Sequence, residues 1–265
     1  MRIVYFLGAT LWASLSYGQS EPTFAQLPAS LDAEQQLPLS NTVQFDVHVK
    51  KPDAFSALLS DWQGIQTLSI SETTLRIAMS AGTISISQAS AAPGYRKSSF
   101  VIDFDEPAVQ AVVKQYLELH PPSDESEPNV FDIEHFISSY IDEPSYIHDF
   151  AFASTVAKSK SGDCTEFAVL VVALARALGL PARVIMGTVI VEGDDSIEAY
   201  GHAWGEVWRG EKWHRVDAAL AKSNAKRRFY LPSHVLQNEG PGYALPLLKS
   251  VYNMPTAITG LKVFE

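Results

Sequence analysis

The stretch KSKSGDCTEFAVLVVALARALGLPARV, Lys158 to Val184, contains Cys164, the only cysteine in 265 residues. Asp163 is suited to cap a helix, and Glu166 three residues later completes a capping-box pattern. Phe167, Leu170, Val171, Leu174 and Leu178 recur on one face, and the opposite face is nearly as apolar. A helix apolar all round belongs in a core. Gly179 is placed to end it and Pro181 to prevent its continuation. The thiol therefore stands at the first turn, where unpaired N–H groups and the helix dipole favour a thiolate. Asp163 and Glu166 oppose that effect, so activation requires a cationic partner such as histidine.

The partner is sought in YGHAWGEVWRGEKWHRVDAAL, Tyr200 to Leu220. HAWGEVW and KWHRVDA read as two strands joined at Gly210-Glu211. A two-residue turn sets Arg209 opposite Lys212 and Trp204 opposite Asp217, with His202 diagonal to Asp217. Diagonal neighbours on one face lie about 7–8 Å apart, within reach of an imidazole and a carboxylate. His214 then points away. A bulged turn would give another register. On the two-residue register Cys164 is the nucleophile, His202 the base and Asp217 the group that orients the imidazole, with N–H groups at the helix start facing an oxyanion. Each residue alone has a plainer reading: a small buried thiol, a structural histidine, a turn aspartate. Their joint placement favours chemistry.

GDCTEFAVLVVALARALGLPARV, GHAWGEVW and WHRVD, in this order and spacing, resemble the signature blocks of the transglutaminase-like superfamily. The resemblance covers about Phe131 to Leu220. It implies an α+β, papain-like core in which the cysteine's helix packs on a small antiparallel sheet, with Cys164, His202 and Asp217 as a triad. It also implies acyl chemistry on a peptide or protein amide through a thioester. A tryptophan upstream of the cysteine assists the oxyanion in some members, and Trp62 lies too far upstream to be equated with it.

Elsewhere the organisation is simpler. Residues 19–40, rich in Pro, Gln, Ser and Ala, read as a linker. Residues 41–106 read as a β-rich region with one buried face: Val43, Phe45, Val47 and Val49 alternate, as do Leu75, Ile77 and Met79, then Ile84 and Ile86, then Phe100, Ile102 and Phe104. Ala81-Gly82 reads as a turn, and 54–59 as a short helix. The cysteine domain is assigned to 107–265, with helices from Pro107 to Leu119 and around Phe131 to Ile141. ARVIMGTVIVEG reads as a strand, EGDDSIEAYG as a polar loop, and AKRRF, Ala225 to Phe229, as a solvated basic loop. Trp204, Trp208 and Trp213 line either a cleft or the core.

Net charge is −10, which disfavours nucleic acid and anionic membranes as partners. No paired ligand spacing points to a metal, and no Gly-rich loop to a phosphate cofactor, so none is expected. Arg2, the apolar run Ile3–Leu15 and the small residues Ser16 and Gly18 read as an export signal over 1–18. That run is short of the ~20 residues needed to span a bilayer. The reading places the protein in a bacterial periplasm or beyond. The leading function is a cysteine hydrolase or acyltransferase; the alternative is a peptide-binding module with an idle triad. An exposed, reactive Cys164 favours the first and an inert, deeply buried one the second. The mature chain is expected to begin at Gln19; intact mass spectrometry of protein from the native host checks this, and retention of Met1 would exclude export by this signal.

Overall fold

The helix expected behind Cys164 spans Cys164–Ala177, and every residue of it before Ala177 is buried. Its capping box forms as the sequence suggests: Asp163 Oδ1 accepts the Thr165 N–H at 2.8 Å, and Glu166 Oε2 accepts the Asp163 N–H at 3.0 Å. Gly179 takes a φ of +85° at the other end, a conformation that costs glycine little.

The structure, a computed structural model, describes residues 26–86, 93–122, 127–145 and 150–264. The export segment read at 1–18 lies outside these residues. In chain order come β1 (Gln26–Leu27), β2 (Ala29–Leu31), β3 (Thr42–His48), α1 (Pro52–Leu59), β4 (Trp62–Ile70) and β5 (Thr74–Ser85). Next are α2 (Pro107–Leu119), α3 (Val130–Tyr140), β6 (Glu143–Pro144), α4 (Ala153–Ser159) and β7 (Ser161–Gly162). Then follow α5 (Cys164–Ala177), β8 (Ala182–Glu192), β9 (Ile197–Arg209), β10 (Lys212–Val216), β11 (Arg227–Val235), α6 (Ala244–Asn253) and β12 (Ala257–Val263).

One antiparallel sheet runs β1-β9-β8-β11, with β10 also on β9. A second runs β2-β12-β3-β5-β4. Helix α5 lies among α2, α3, α4, β8 and β9. This is the α+β arrangement the resemblance implies. Val169, Leu170, Val172 and Leu174 share one core with Val109, Val112, Ile133, Ile137, Val184 and Val207. Each such side chain, fully buried, stabilises the fold by about 1.5–3 kcal/mol. A second core joins Phe45, Val47, Leu75 and Ile77 to Ile190, Phe229 and Leu231 of the first sheet. So the two sheets share apolar cover.

Several local expectations change. Residues 26–31 pair as β1 and β2 inside the segment read as a linker. Ala81-Gly82 does not turn: β5 passes through it, because Trp62–Ile70, unread in the sequence, pairs with both halves. Phe100, Ile102 and Phe104 are not in a strand. Adjacent Val101 and Ile102 are both buried there, and the Val101 backbone bonds outward to Glu239 and Ala153. The polar loop after β8 is shorter than expected, since β9 starts at Ile197. The basic AKRRF stretch leads into β11, where Arg227 pairs with buried Glu192 at 3.1 Å. Residues Ala257–Val263, within the segment assigned to the cysteine domain, supply β12 to the second sheet against β3.

Gly205 on β9 faces α5 so closely that an added Cβ would lie 2.7 Å from Val171 Cγ1. Gly205→Ala is expected to destabilise the protein by about 1–3 kcal/mol through overpacking. Adding Val171→Ala should recover part of that loss in urea denaturation; independent, additive effects would disprove the contact.

Candidate active site

Three elements converge at the start of α5. Cys164 is the first residue of that helix. His202 comes from β9, and Asp217 directly follows β10. The hairpin between β9 and β10 turns on Gly210 and Glu211, with φ of +56° and +62°. Positive φ at both positions marks a two-residue turn, so no bulge intervenes. Arg209 faces Lys212, and Gly205 faces Val216. His202 Nε2 meets Asp217 Oδ2 at 2.9 Å. His214 instead hydrogen-bonds the Arg209 carbonyl at 3.0 Å.

Cys164 lies near enough to His202 to favour its charged form, while Nε2 of the ring is taken by Asp217. Burial opposes charge on the imidazole. The Asp217 carboxylate, by charge and hydrogen bond, and then Cys164 outweigh it, and His202 is pushed up to about 10. Asp217 moves the opposite way: burial would raise it, but His202 and the Tyr230 hydroxyl hold it below the usual carboxylate range. The two directions agree with a charged pair. The site is enclosed, with Cys164 3%, His202 6% and Asp217 5% exposed.

Residues the sequence did not single out complete the surroundings. Tyr230 donates to Asp217 Oδ2 at 2.6 Å, and the Leu220 N–H reaches Oδ1 at 3.3 Å. Glu134 on α3 accepts the Asp217 N–H at 2.8 Å, fixing the backbone at the end of β10. Glu166 does more than cap: its Oε1 accepts the Ala151 N–H at 2.8 Å and ties the preceding loop to the helix that carries Cys164. Burial pushes Glu166 up to about 7. A side chain at Gly162 would collide with Glu166, a Cβ there lying 2.2 Å from the Glu166 Cβ. Only the lettering of the capping box hinted at any of these, since the other contacts join distant segments.

Trp62 donates its indole N–H to Glu206 at 3.3 Å. Glu206 also binds Arg183 at 2.7 Å, and the guanidinium stacks on Trp213, 4.1 Å from its centroid. Trp204 and Trp213 are core residues, and Trp208 is half-buried.

Residues 122–218 match the model of the transglutaminase-like superfamily. No curated protein sequence matches the chain. Among solved structures, a candidate cysteine protease from Cytophaga hutchinsonii is 15% identical, with a TM-score of 0.45 over 78% of this chain and 80% of that one. The periplasmic domain of TgpA from Pseudomonas aeruginosa is 16% identical, with a TM-score of 0.41 over 70% and 74%. Red sea bream transglutaminase is 11% identical, with a TM-score of 0.32 over 73% and 49%.

The raised His202 has a consequence for stability. Its folded state binds the proton more tightly than the unfolded chain, so the contribution is complete below about 6.5 and is lost as pH rises through about 10. Glu166 acts in a lower window, from 4.5 to about 7. Between pH 7 and 10 the wild type should therefore lose more unfolding free energy than Asp217→Asn, in which only Cys164 is left to offset the burial of the imidazole. Urea denaturation across that range checks it; parallel curves would deny the charge coupling.

Proposed function

We propose that this chain, whose residues 122–218 belong to the transglutaminase-like superfamily, is an exported thiol enzyme acting on peptide or protein amides. The observation that carries the reading is the buried imidazole of His202, hydrogen-bonded to Asp217 at 2.9 Å beside Cys164, with both neighbours favouring its charged form. Enclosing a charged pair is costly, and an apolar pair of similar volume would serve a purely structural core as well or better. Beside a thiol at a helix start, the same pair stabilises a thiolate.

The chemistry follows from the positions. The Cys164 thiolate attacks the amide carbonyl, forming a C–S bond, and the carbonyl electrons move to oxygen. The Cys164 N–H is the oxyanion donor in this reading, because the Thr165 N–H already serves Asp163. Collapse breaks the C–N bond as His202 gives its proton to the leaving amine. Neutral His202 then takes a proton from the acceptor, whose oxygen or nitrogen displaces the thiolate from the thioester. Water is the favoured acceptor, since hydrolysis needs no second binding approach, whereas transfer must admit an amine and hold water off. Export rests on the reading of Met1–Gly18.

The burial of Cys164 supports a second reading, a peptide-binding module with an idle triad. Alkylation separates the two. Iodoacetamide should label Cys164 of the folded enzyme readily at neutral pH, and much more slowly in His202→Ala. A folded protein that resists the reagent, or is labelled at the same slow rate in both forms, would favour the module. With glutamine peptides and a labelled amine, Cys164→Ala serving as control, ammonia release should outpace amine incorporation; the reverse would make the enzyme a transferase.

A further inference from the structure

Asp217 Oδ2 takes two hydrogen bonds, from His202 Nε2 at 2.9 Å and from the Tyr230 hydroxyl at 2.6 Å. Tyr230 reaches it from β11, a strand that does not border β10. The Tyr230 ring lies beside the imidazole at 6.2 Å and edge-on to Trp204 at 5.2 Å. Over its face sits the Arg215 guanidinium, 3.9 Å from the centroid. Arg215 in turn donates to the Thr83 and Ala81 carbonyls of β5, each at 3.3 Å. A row of contacts thus runs from the second sheet through Arg215, Tyr230 and Asp217 to His202.

We propose that Tyr230 is a positioning residue for the reaction, holding Asp217 in line with His202, and that Arg215 anchors it to the second sheet. The inference rests on the Cys164–His202–Asp217 reading. Asp217 stands just past the end of β10, where its carboxyl group can rotate unless it is held. The Leu220 N–H offers only a long bond to Oδ1. A phenol suits the task. Its rigid ring fixes the hydroxyl, and it adds no charge to compete with the imidazolium. Burial and then the Asp217 charge keep it protonated, so it remains a donor. Packing alone would explain a buried tyrosine, but not why its hydroxyl shares the oxygen that receives His202. The β-rich region, without chemistry of its own, gains a role as the support of this row.

Tyr230→Phe deletes only the hydroxyl, and Arg215→Met keeps the stem without the charge. NMR titration of His202 is compared among the wild type and both variants, alongside iodoacetamide labelling of Cys164 and thermal melting. The wild type should keep His202 protonated through neutrality. In Tyr230→Phe that titration should move down by about one unit, a tenfold weaker hold on the proton, while labelling at pH 7, where the imidazole stays charged in both, should persist as a check that the site is intact. Arg215→Met should move it the same way by less, with melting little changed in either. An unmoved titration in Tyr230→Phe overturns the proposal. So does an upward move, which would make the hydroxyl merely a competitor for Oδ2. If Tyr230→Phe does not fold, Arg215→Met decides by the same measurement, an unmoved titration there overturning the proposal. A wild-type His202 already neutral at pH 7 would instead remove the ion pair of the proposed enzyme.

Discussion

A fourteen-residue helix with no polar face has to be enclosed on every side, and the rest of this molecule is arranged around that demand. Helices α2, α3 and α4 and strands β8 and β9 supply the cover. The sheet approaches closely enough that Gly205 has no room for a side chain against Val171. Arg176, near the end of α5, is enclosed as well, and it is satisfied by two backbone carbonyls and a bidentate bond to Glu239 at 2.7 Å. Because the helix is enclosed along its length, the chemistry proposed for it falls at its first turn, where Cys164 lies near the imidazole carried by β9.

The same enclosure sets the electrostatics. In a dry setting an unpaired charge is expensive, so buried charges come with partners. His202 and Asp217 are paired with each other, and Asp217 is held further by Tyr230 and the Leu220 N–H. Glu166 offsets its burial by accepting from Ala151, Asp163 and Thr165. A second pair, Arg183 with Glu206, is packed against Trp62 and Trp213 and links to Ser85 of the second sheet. Polar contacts therefore tie the sheets together twice, once through this pair and once through Arg215.

Local signals carried far in this chain where one segment decided the outcome. The cap at Asp163, the stop at Gly179, Pro107 at the start of α2 and the turn at Gly210-Glu211 were all legible, because each depends on a few adjacent residues. The hairpin register brought His202 within reach of Asp217 for the same reason: a two-residue turn dictates every pair above it. Where alternation had to stand for a whole sheet it misled. Phe100, Ile102 and Phe104 alternate but lie in a loop, and Trp62–Ile70, with Gly64 and several polar positions, hid a strand.

The sequence by itself determined the residue types and spacings of the site, the buried helix and the hairpin, since local backbone geometry converts those letters directly into positions. Only the tertiary structure decided that β12 returns to the second sheet, that Trp62 serves Glu206, and that Tyr230 and Glu134 close on Asp217. In β3 and β12 these contacts join residues as distant in the chain as Val43 and Val263, and no short-range pattern encodes them. They arise when burying the apolar faces of separate elements brings distant polar groups together, and those groups must then find partners among whatever the packing has placed beside them.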